Sequence, residues 1–417
     1  MSLIVWYNIR FSTSIFTQMK FRFTIYSLLF TACAFGQLQQ GIWRMELKLN
    51  DSTQMPFRFE VIDKSIEIIN AEERIKVDEI TFVGDSVFIK MPLFDSEFRM
   101  ELNSKHNYMK GYFLNHARLD KNIIPAAGGV KTSAFEMPAD PVFNISGRWE
   151  VHFEGDDPPL DLSIGEFKQH GRELTGTFLT STGDYRYLEG MATKNWFEMS
   201  AFDGSHLFYF TGRYEDDGSI SGHYYSGMHW HDTWLAQRNE EAQLPNPDSL
   251  TFLKPGFSKL DFTFPDADSN MISISDKKFQ NKVVIVQIMG TWCPNCMDET
   301  QFLSPFYSAN KMKGLEVIGL DYERIATLET AKKNLARLKK KYAIDYTLLY
   351  AGTTDKTARA KTLPMLSDIL SFPTTIFIDK KGRVRKIHTG FSGPATGAHY
   401  EKWKDDFTSY VAKLLNE

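Results

Sequence analysis

Cysteine is nearly absent from this chain: three residues in 417, Cys33, Cys293 and Cys296. A disulfide-stapled scaffold is therefore excluded, and so is an all-cysteine zinc site, because no second pair exists to complete one. The chain also lacks a long basic run, and its formal net charge is −4. Nucleic acid is accordingly excluded as the main partner. The apolar run near the N-terminus, Phe23 to Gly36, is too short to span a bilayer comfortably. What is present is a length that allows two or three domains, and 14% aromatic residues, which suits β-rich packing.

The first 36 residues contain no acid and three bases, Arg10, Lys20 and Arg22. A basic segment, an apolar run and small residues at its end predict a secretory signal over residues 1–36. Met19-Lys20 reads as the start of that signal, with 1–18 an upstream extension. Both Ala32-Cys33-Ala34 and Ala34-Phe35-Gly36 fit a small-x-small cleavage site. Phe30-Thr31-Ala32-Cys33 resembles a lipoprotein signal, in which Cys33 would carry a lipid anchor. Either way the expected location is the periplasm or cell envelope, where disulfides persist.

Residues 37–240 read as β-rich with an internal repeat. Gly41-Ile42-Trp43-Arg44 is echoed by Gly147-Arg148-Trp149-Glu150, and Met109-Lys110-Gly111-Tyr112-Phe113 by Ile220-Ser221-Gly222-His223-Tyr224. Short alternating runs punctuated by Gly, Asp and Asn predict an antiparallel sandwich or barrel. The expected order is repeat 1 over 37–120, a linker over 121–145, repeat 2 over 146–240 and a second linker over 241–250. Two small β-domains and two halves of one barrel both fit. His223, His229, His231 and Asp232 are metal-capable residue types, but a two-His pair without a fixed third ligand is a polar strand end, and no metal is expected.

Residues 251–417 alternate β and α. Leu260–Phe264 and Met271–Ile274 predict short strands, and Val283–Met289 is an apolar run long enough for one buried strand. Trp292-Cys293-Pro294-Asn295-Cys296 follows it and opens a helix, the arrangement of a thiol–disulfide redox site. Ser304-Pro305 predicts a kink or restart of that helix. Leu315–Leu320 is the next buried strand. Leu328, Ala331, Leu335, Leu338 and Tyr342 form one face of an amphipathic helix. Residues 351–369 read as an inserted helical stretch. Thr374–Ile378 and Val384–His388 read as a hairpin across Asp379–Gly382, and Tyr400, Trp403, Phe407, Val411 and Leu414 predict a closing helix. A β-α-β half followed by a β-β-α half is the thioredoxin order.

The W-C-x-x-C, Glu299 three residues on, Ser371-Phe372-Pro373-Thr374-Thr375 at a strand start, and Thr389-Gly390-Phe391-Ser392-Gly393-Pro394 together resemble the TlpA/ResA-like thiol–disulfide oxidoreductases. The resemblance covers the C-terminal region alone. It implies a multidomain protein with a thioredoxin-like α/β domain behind a β-rich region. It implies a cis Phe372–Pro373 bond facing the dithiol, with Trp292, Phe372, Pro373 and Thr374 binding substrate and no cofactor. Disulfide-bearing envelope proteins would be the substrates and a membrane electron donor the reductant. The partner of the β-rich region is unknown.

Position supplies the chemistry. Cys293 at a helix N-terminus gains thiolate stabilisation from unpaired N–H groups and the dipole, and thiolate is the attacking species in exchange. Cys296, one turn later, is placed to resolve the mixed disulfide. Thioredoxins carry an Asp six residues before the first Cys, where this chain has Gln287. Glu299 is then the expected proton acceptor, with Asp321 and Glu323 as alternatives. A peroxidase would need Pro-x-x-x-Thr/Ser-x-x-Cys, which is missing before Cys293. The competing functions are a disulfide reductase, a disulfide oxidase or isomerase, and a ligand-binding envelope protein with an accessory redox domain.

Overall fold

A computed structural model describes residues 37–131, 135, 139–155, 161–325 and 327–417. The signal read over 1–36, with Cys33, lies outside the described residues. Among the described residues, no helix is long and apolar enough to cross a membrane.

The repeat resolves into two separate antiparallel nine-stranded sheets rather than two halves of one. In the first, Gly41–Lys48 lies between Gln54–Ile62 and Ile123–Val130. The two edge strands, Glu73–Val77 and Ile80–Val83, are consecutive in the chain. Two residues join them, so the sheet must curl on itself and is barrel-like. The second sheet closes fully. Gly147–Phe153 pairs with both Leu162–His170 and Trp230–Arg238, and Leu162–His170 pairs onward with Glu173–Thr180. Closure removes exposed strand edges.

The repeat extends to atomic detail. Gly41 (φ +110°) and Gly147 (φ +116°) open equivalent strands in a conformation that favours glycine. Trp43 Nε1 donates to the Gln39 carbonyl at 2.8 Å, and Trp149 Nε1 donates to the Ile145 carbonyl at 2.8 Å. Both indoles are fully buried. Inside the closed barrel Trp149 joins Phe178, Phe197, Phe210 and Trp234, with Phe178 and Phe210 stacked at 4.4 Å. Each such side chain contributes roughly 1.5–3 kcal/mol by leaving water.

The linker read over 121–145 contains a strand, Ile123–Val130, which closes the first sheet against Gly41–Lys48 and Tyr108–Asn115. Pro125, Gly128 and Gly129, which suggest a linker, belong to it. A Cβ on Gly128 would overlap the Arg44 carbonyl, so glycine there marks close strand approach rather than a break.

The C-terminal region is thioredoxin-like. Its sheet is β1 (Val283–Met289), β2 (Leu315–Glu323), β3 (Thr347–Thr353), β4 (Thr374–Ile378) and β5 (Val384–Thr389), in the order β3-β2-β1-β4-β5. β1 to β3 are parallel, and β4 and β5 form an antiparallel hairpin. Every residue of β1 is buried, as a strand covered on both faces requires. The helices are α1 (Pro294–Asn310), α2 (Leu328–Lys341), α3 (Lys356–Thr362) and α4 (Ala398–Asn416).

Three readings need correction. The helix read over 351–369 begins inside β3 and is helical only in α3; residues 351–353 end that strand, and Ala351 packs in the sheet core. The strand read at Leu260–Phe264 is three residues, Thr263–Pro265, in a small hairpin with Met271–Ser273. Pro305 lies inside α1, which continues through it without a restart. Ser304 Oγ donates to the Tyr342 carbonyl at 2.8 Å instead of capping a new helix.

Candidate active site

β1 ends at Met289, and Gly290–Cys293 turn the chain into α1. Gly290 is needed there because a side chain would collide with the Trp292 indole. Cys293 is the N-cap of α1, with its Sγ accepting from the Cys296 amide at 3.1 Å, and Pro294 occupies the first turn, where no N–H is required. Cys293 and Cys296 are joined by a disulfide, with Cα atoms 5.3 Å apart. Cys293 is 3% exposed and Cys296 is 0%.

The facing wall is the loop before β4. The Phe372–Pro373 peptide is cis, and the Phe372 carbonyl oxygen lies 3.2 Å from Cys293 Sγ. Trp292 closes one side. Its Nε1 donates to the Tyr322 carbonyl at 2.9 Å, and its ring meets Phe372 edge-on at 5.5 Å. Arg324 stands 4.0 Å over that ring. Burial, helped by nearby Arg118, pushes the guanidinium down to about 9. Thr374, next to the cis proline, is fully buried and donates through Oγ1 to the Ser371 carbonyl at 2.8 Å.

Beneath the dithiol lies a closed polar group. Glu299 follows Cys296 by three residues, so the two share a helix face. It is fully buried. Gln287 Nε2 donates to Glu299 Oε2 at 2.8 Å and to the Cys296 carbonyl at 3.3 Å, and Thr375 Oγ1 donates to Glu299 Oε1. Thr300 Oγ1 donates to Gln287 Oε1 at 3.2 Å. Burial raises the Glu299 carboxyl to about 7, against the opposing effect of the Thr375 and Gln287 bonds. Gln287 thus leaves an amide where an acid is usual, and that amide binds an acid supplied from the helix.

Asp321 and Glu323 sit at the end of β2 on the Thr291 side. Asp321 accepts from the Thr291 amide at 3.3 Å, and Glu323 accepts from Thr291 Oγ1 and from Asn334 Nδ2. Burial, reinforced by Glu323, pushes the Asp321 carboxyl well above the carboxylate range. They hold the turn before Trp292 rather than the Cys296 face. The three histidines and Asp232 do not converge on one point either. His223 and His231 meet at 3.1 Å, His229 turns to Arg118, and Asp232 accepts from the Gly155 amide. Among the described residues no group of three or more His, Cys, Asp or Glu could hold a metal.

One structural neighbour of the dithiol has no signal in the sequence. The turn Ser181–Arg186 of the second barrel lies against the site. Asn295 Nδ2 donates to the Asp184 carbonyl at 3.3 Å, Ser371 Oγ donates to the Thr182 carbonyl at 2.6 Å, and the Gly393 amide donates to Asp184 Oδ2 at 2.6 Å. These partners are 111 to 209 residues apart in the chain, beyond the reach of any local pattern.

A family model described as Redoxin matches residues 254–402. The thiol-disulfide oxidoreductase ResA of Bacillus thuringiensis subsp. konkukian is 30% identical over 153 residues, 37% of this chain and 74% of the relative. ResA of Bacillus subtilis is 25% identical over 138 residues, 33% of this chain and 69% of the relative. Among solved structures, a putative thiol:disulfide interchange protein DsbE from Chlorobium tepidum is 22% identical with TM-score 0.30, covering 38% of this chain and 99% of its own. A putative protein disulfide isomerase from Bacteroides thetaiotaomicron is 20% identical with TM-score 0.29, covering 40% and 93%. With a W-C-x-x-C at the mouth of a thioredoxin-like sheet and a ResA relative matched over most of its length, this chain is a thiol–disulfide oxidoreductase and belongs to the ResA-like family of the thioredoxin superfamily.

Proposed function

We propose that the chain is an extracytoplasmic disulfide reductase in which Cys293 attacks, Cys296 resolves and Glu299 takes the proton. The observation that carries this reading is the buried Glu299 carboxyl on the Cys296 face of α1. A thiol with no solvent exposure is hard to ionise, and a base poised near neutrality answers that need.

In the reduced protein the Cys293 thiolate attacks one sulfur of a substrate disulfide. A mixed disulfide forms, and the first substrate sulfur leaves as a thiolate and takes a proton from water. Cys296 then gives its proton to the Glu299 carboxylate and attacks Cys293 Sγ. The second substrate sulfur leaves, and the Cys293–Cys296 disulfide closes. Two electrons have passed to the substrate. A reductant of the membrane must restore the dithiol, and Glu299 returns its proton in that half of the cycle. The substrates in this reading are disulfide-bearing envelope proteins, bound against Trp292, Phe372 and Pro373, with Thr374 supporting the loop. The secretory reading of residues 1–36 places the reaction in the periplasm or at the envelope.

Cys296→Ser removes the resolving sulfur and leaves Cys293 intact. Mixed disulfides with envelope proteins should accumulate, visible as dithiothreitol-sensitive adducts on non-reducing gels and lost in Cys293→Ser. A folded Cys296→Ser protein that captures nothing would favour a binding protein with an idle redox domain. Direction is tested by the Cys293–Cys296 potential. A value near that of thioredoxin, about −270 mV, supports the reductase, and one near about −120 mV would make the protein an oxidase.

A further inference from the structure

The Ser181–Arg186 turn packs against the loops around the dithiol. It touches all three segments at the mouth of the site: Asn295 between the cysteines, Ser371 before the cis proline, and Gly390–Gly393 after β5. Thr182 and Asp184 accept from Ser371 and Asn295 through their backbone carbonyls. Asp184 Oδ2 accepts from the Gly393 amide. A side chain on Gly183 would overlap Asn295 Nδ2, and one on Gly390 would stand 2.7 Å from the Ser181 carbonyl. Glycine at 183 leaves room for the Asn295 side chain, and glycine at 390 lets its backbone close on that of Ser181 and Thr182.

The turn is also stiff. Thr180 Oγ1 accepts from the Thr182 and Gly183 amides, each at 3.1 Å, and the Arg186 amide donates to Asp184 Oδ1 at 2.8 Å. Arg186 anchors its far end by pairing with Asp298 on α1. From the other side, Leu93 and Phe94 of the first barrel join the apolar cluster that contains Trp292 and Cys293. Cys293 is left 3% exposed, although exchange requires a substrate disulfide to reach its sulfur.

We propose that Gly183 and Asp184 are specificity-determining residues: their turn competes with protein substrates for the mouth of the site, so that small disulfides reach Cys293 more easily than folded protein disulfides, which need the turn displaced. This rests on Cys293 as the attacking residue. A closed form that opens in about 0.1–10% of molecules lowers apparent affinity by the open fraction. Opening the turn should therefore raise the reaction with bulky partners by about tenfold or more while changing that with small ones little.

Gly183→Ala puts a methyl where Asn295 Nδ2 sits and strains a residue held at φ +151°, so the bond from Asn295 to the turn must give, and Asp184→Ala removes the turn's bond to Gly393. Each would be made in the full chain, reduced, and treated with N-ethylmaleimide or a polymer-linked maleimide, with modification followed at Cys293 by mass spectrometry. In the unaltered protein the small reagent should react far faster than the bulky one. Both variants should narrow that ratio by about tenfold or more, and the rate of insulin reduction relative to oxidised glutathione should rise in parallel. An unchanged ratio in Asp184→Ala, which makes the smaller change, or slower insulin reduction in either variant, would overturn the proposal. Size discrimination that persists in a protein reducing neither disulfide would uphold the barrier and sink the reductase reading instead.

Discussion

Glu299→Gln should slow resolution of the mixed disulfide by about 10²- to 10⁴-fold, the span typical of losing a positioned general base. The substitution keeps shape and removes only the ionisable group. Gln287 and Thr375 still face an amide, so the pocket can remain closed. In the proposed mechanism the proton acceptor is the Glu299 carboxylate, and burial holds that carboxyl at about 7. Resolution should then fall about tenfold per pH unit below 7 and level off above it. The variant should lose this inflection at every pH, whereas a merely structural role would lower the rate without moving the profile. Rapid acid quench of the mixed disulfide, followed by mass spectrometry, measures the step directly.

Stability should move the other way. The folded carboxyl binds its proton more tightly than an unfolded one, because its value is raised from 4.5 to about 7. Its contribution to stability is thus present below the unfolded value and is lost as pH rises through the folded one. Above neutrality the protein carries a cost on the order of 3 kcal/mol for ionising this group in place. Glu299→Gln has no such cost, so it should unfold no earlier than the parent at about pH 8, and its stability should vary less with pH between about 5 and 8. A variant less stable at high pH would mean the carboxylate is held by favourable contacts, contrary to the burial that raises it.

The parts of this architecture that were readable from sequence are those with short-range causes. The dithiol at the exit of a buried strand, the β4–β5 hairpin and the closing helix each depend on residues a few positions apart. The two barrels were legible as a repeat because Trp43 and Trp149 recur in equivalent strands, each bonded to a carbonyl four residues back. Gly and Pro misled where they serve sheet packing. Gly128 lies in a strand because Arg44 approaches it, a cause 84 residues distant in the chain. Glu299 was nameable as the first choice, with Asp321 and Glu323 left as alternatives. Only the fold shows that the Gln287 amide points to Glu299 while the other two acids hold Thr291. The Ser181–Arg186 turn had no local signature, since the partners that set it against the dithiol belong to another domain.

Arg186→Met should destabilise the protein by about 3–5 kcal/mol at about pH 8, the usual cost of stranding buried charge. The residue is 8% exposed and joins three parts of the chain. Its Nη2 bonds Glu73 of the first barrel, its Nη1 bonds Asp298 on α1, and its Nε stands 3.9 Å from Asp203 of the second barrel. Asp184 is a fourth carboxyl near it. Asp203 has a further partner in His206, at 3.1 Å, but Asp298 depends on the guanidinium. Even with Arg186 in place, burial raises the Asp298 carboxyl to about 7, with Asp184 and Glu73 adding to the rise. Without it these acids can be relieved only by taking up protons. The variant's deficit should therefore be greatest above pH 7 and shrink as pH falls through that value. Urea unfolding at about pH 8 and about pH 5.5 measures the difference, and an equal deficit at both would place the effect in lost packing rather than charge. Arg186→Lys separates charge from geometry. A single ammonium cannot span Glu73 and Asp298 as the guanidinium fork does, so it should recover only part of the loss. Full recovery would show that the junction needs a positive charge but not the fork that ties both barrels to α1.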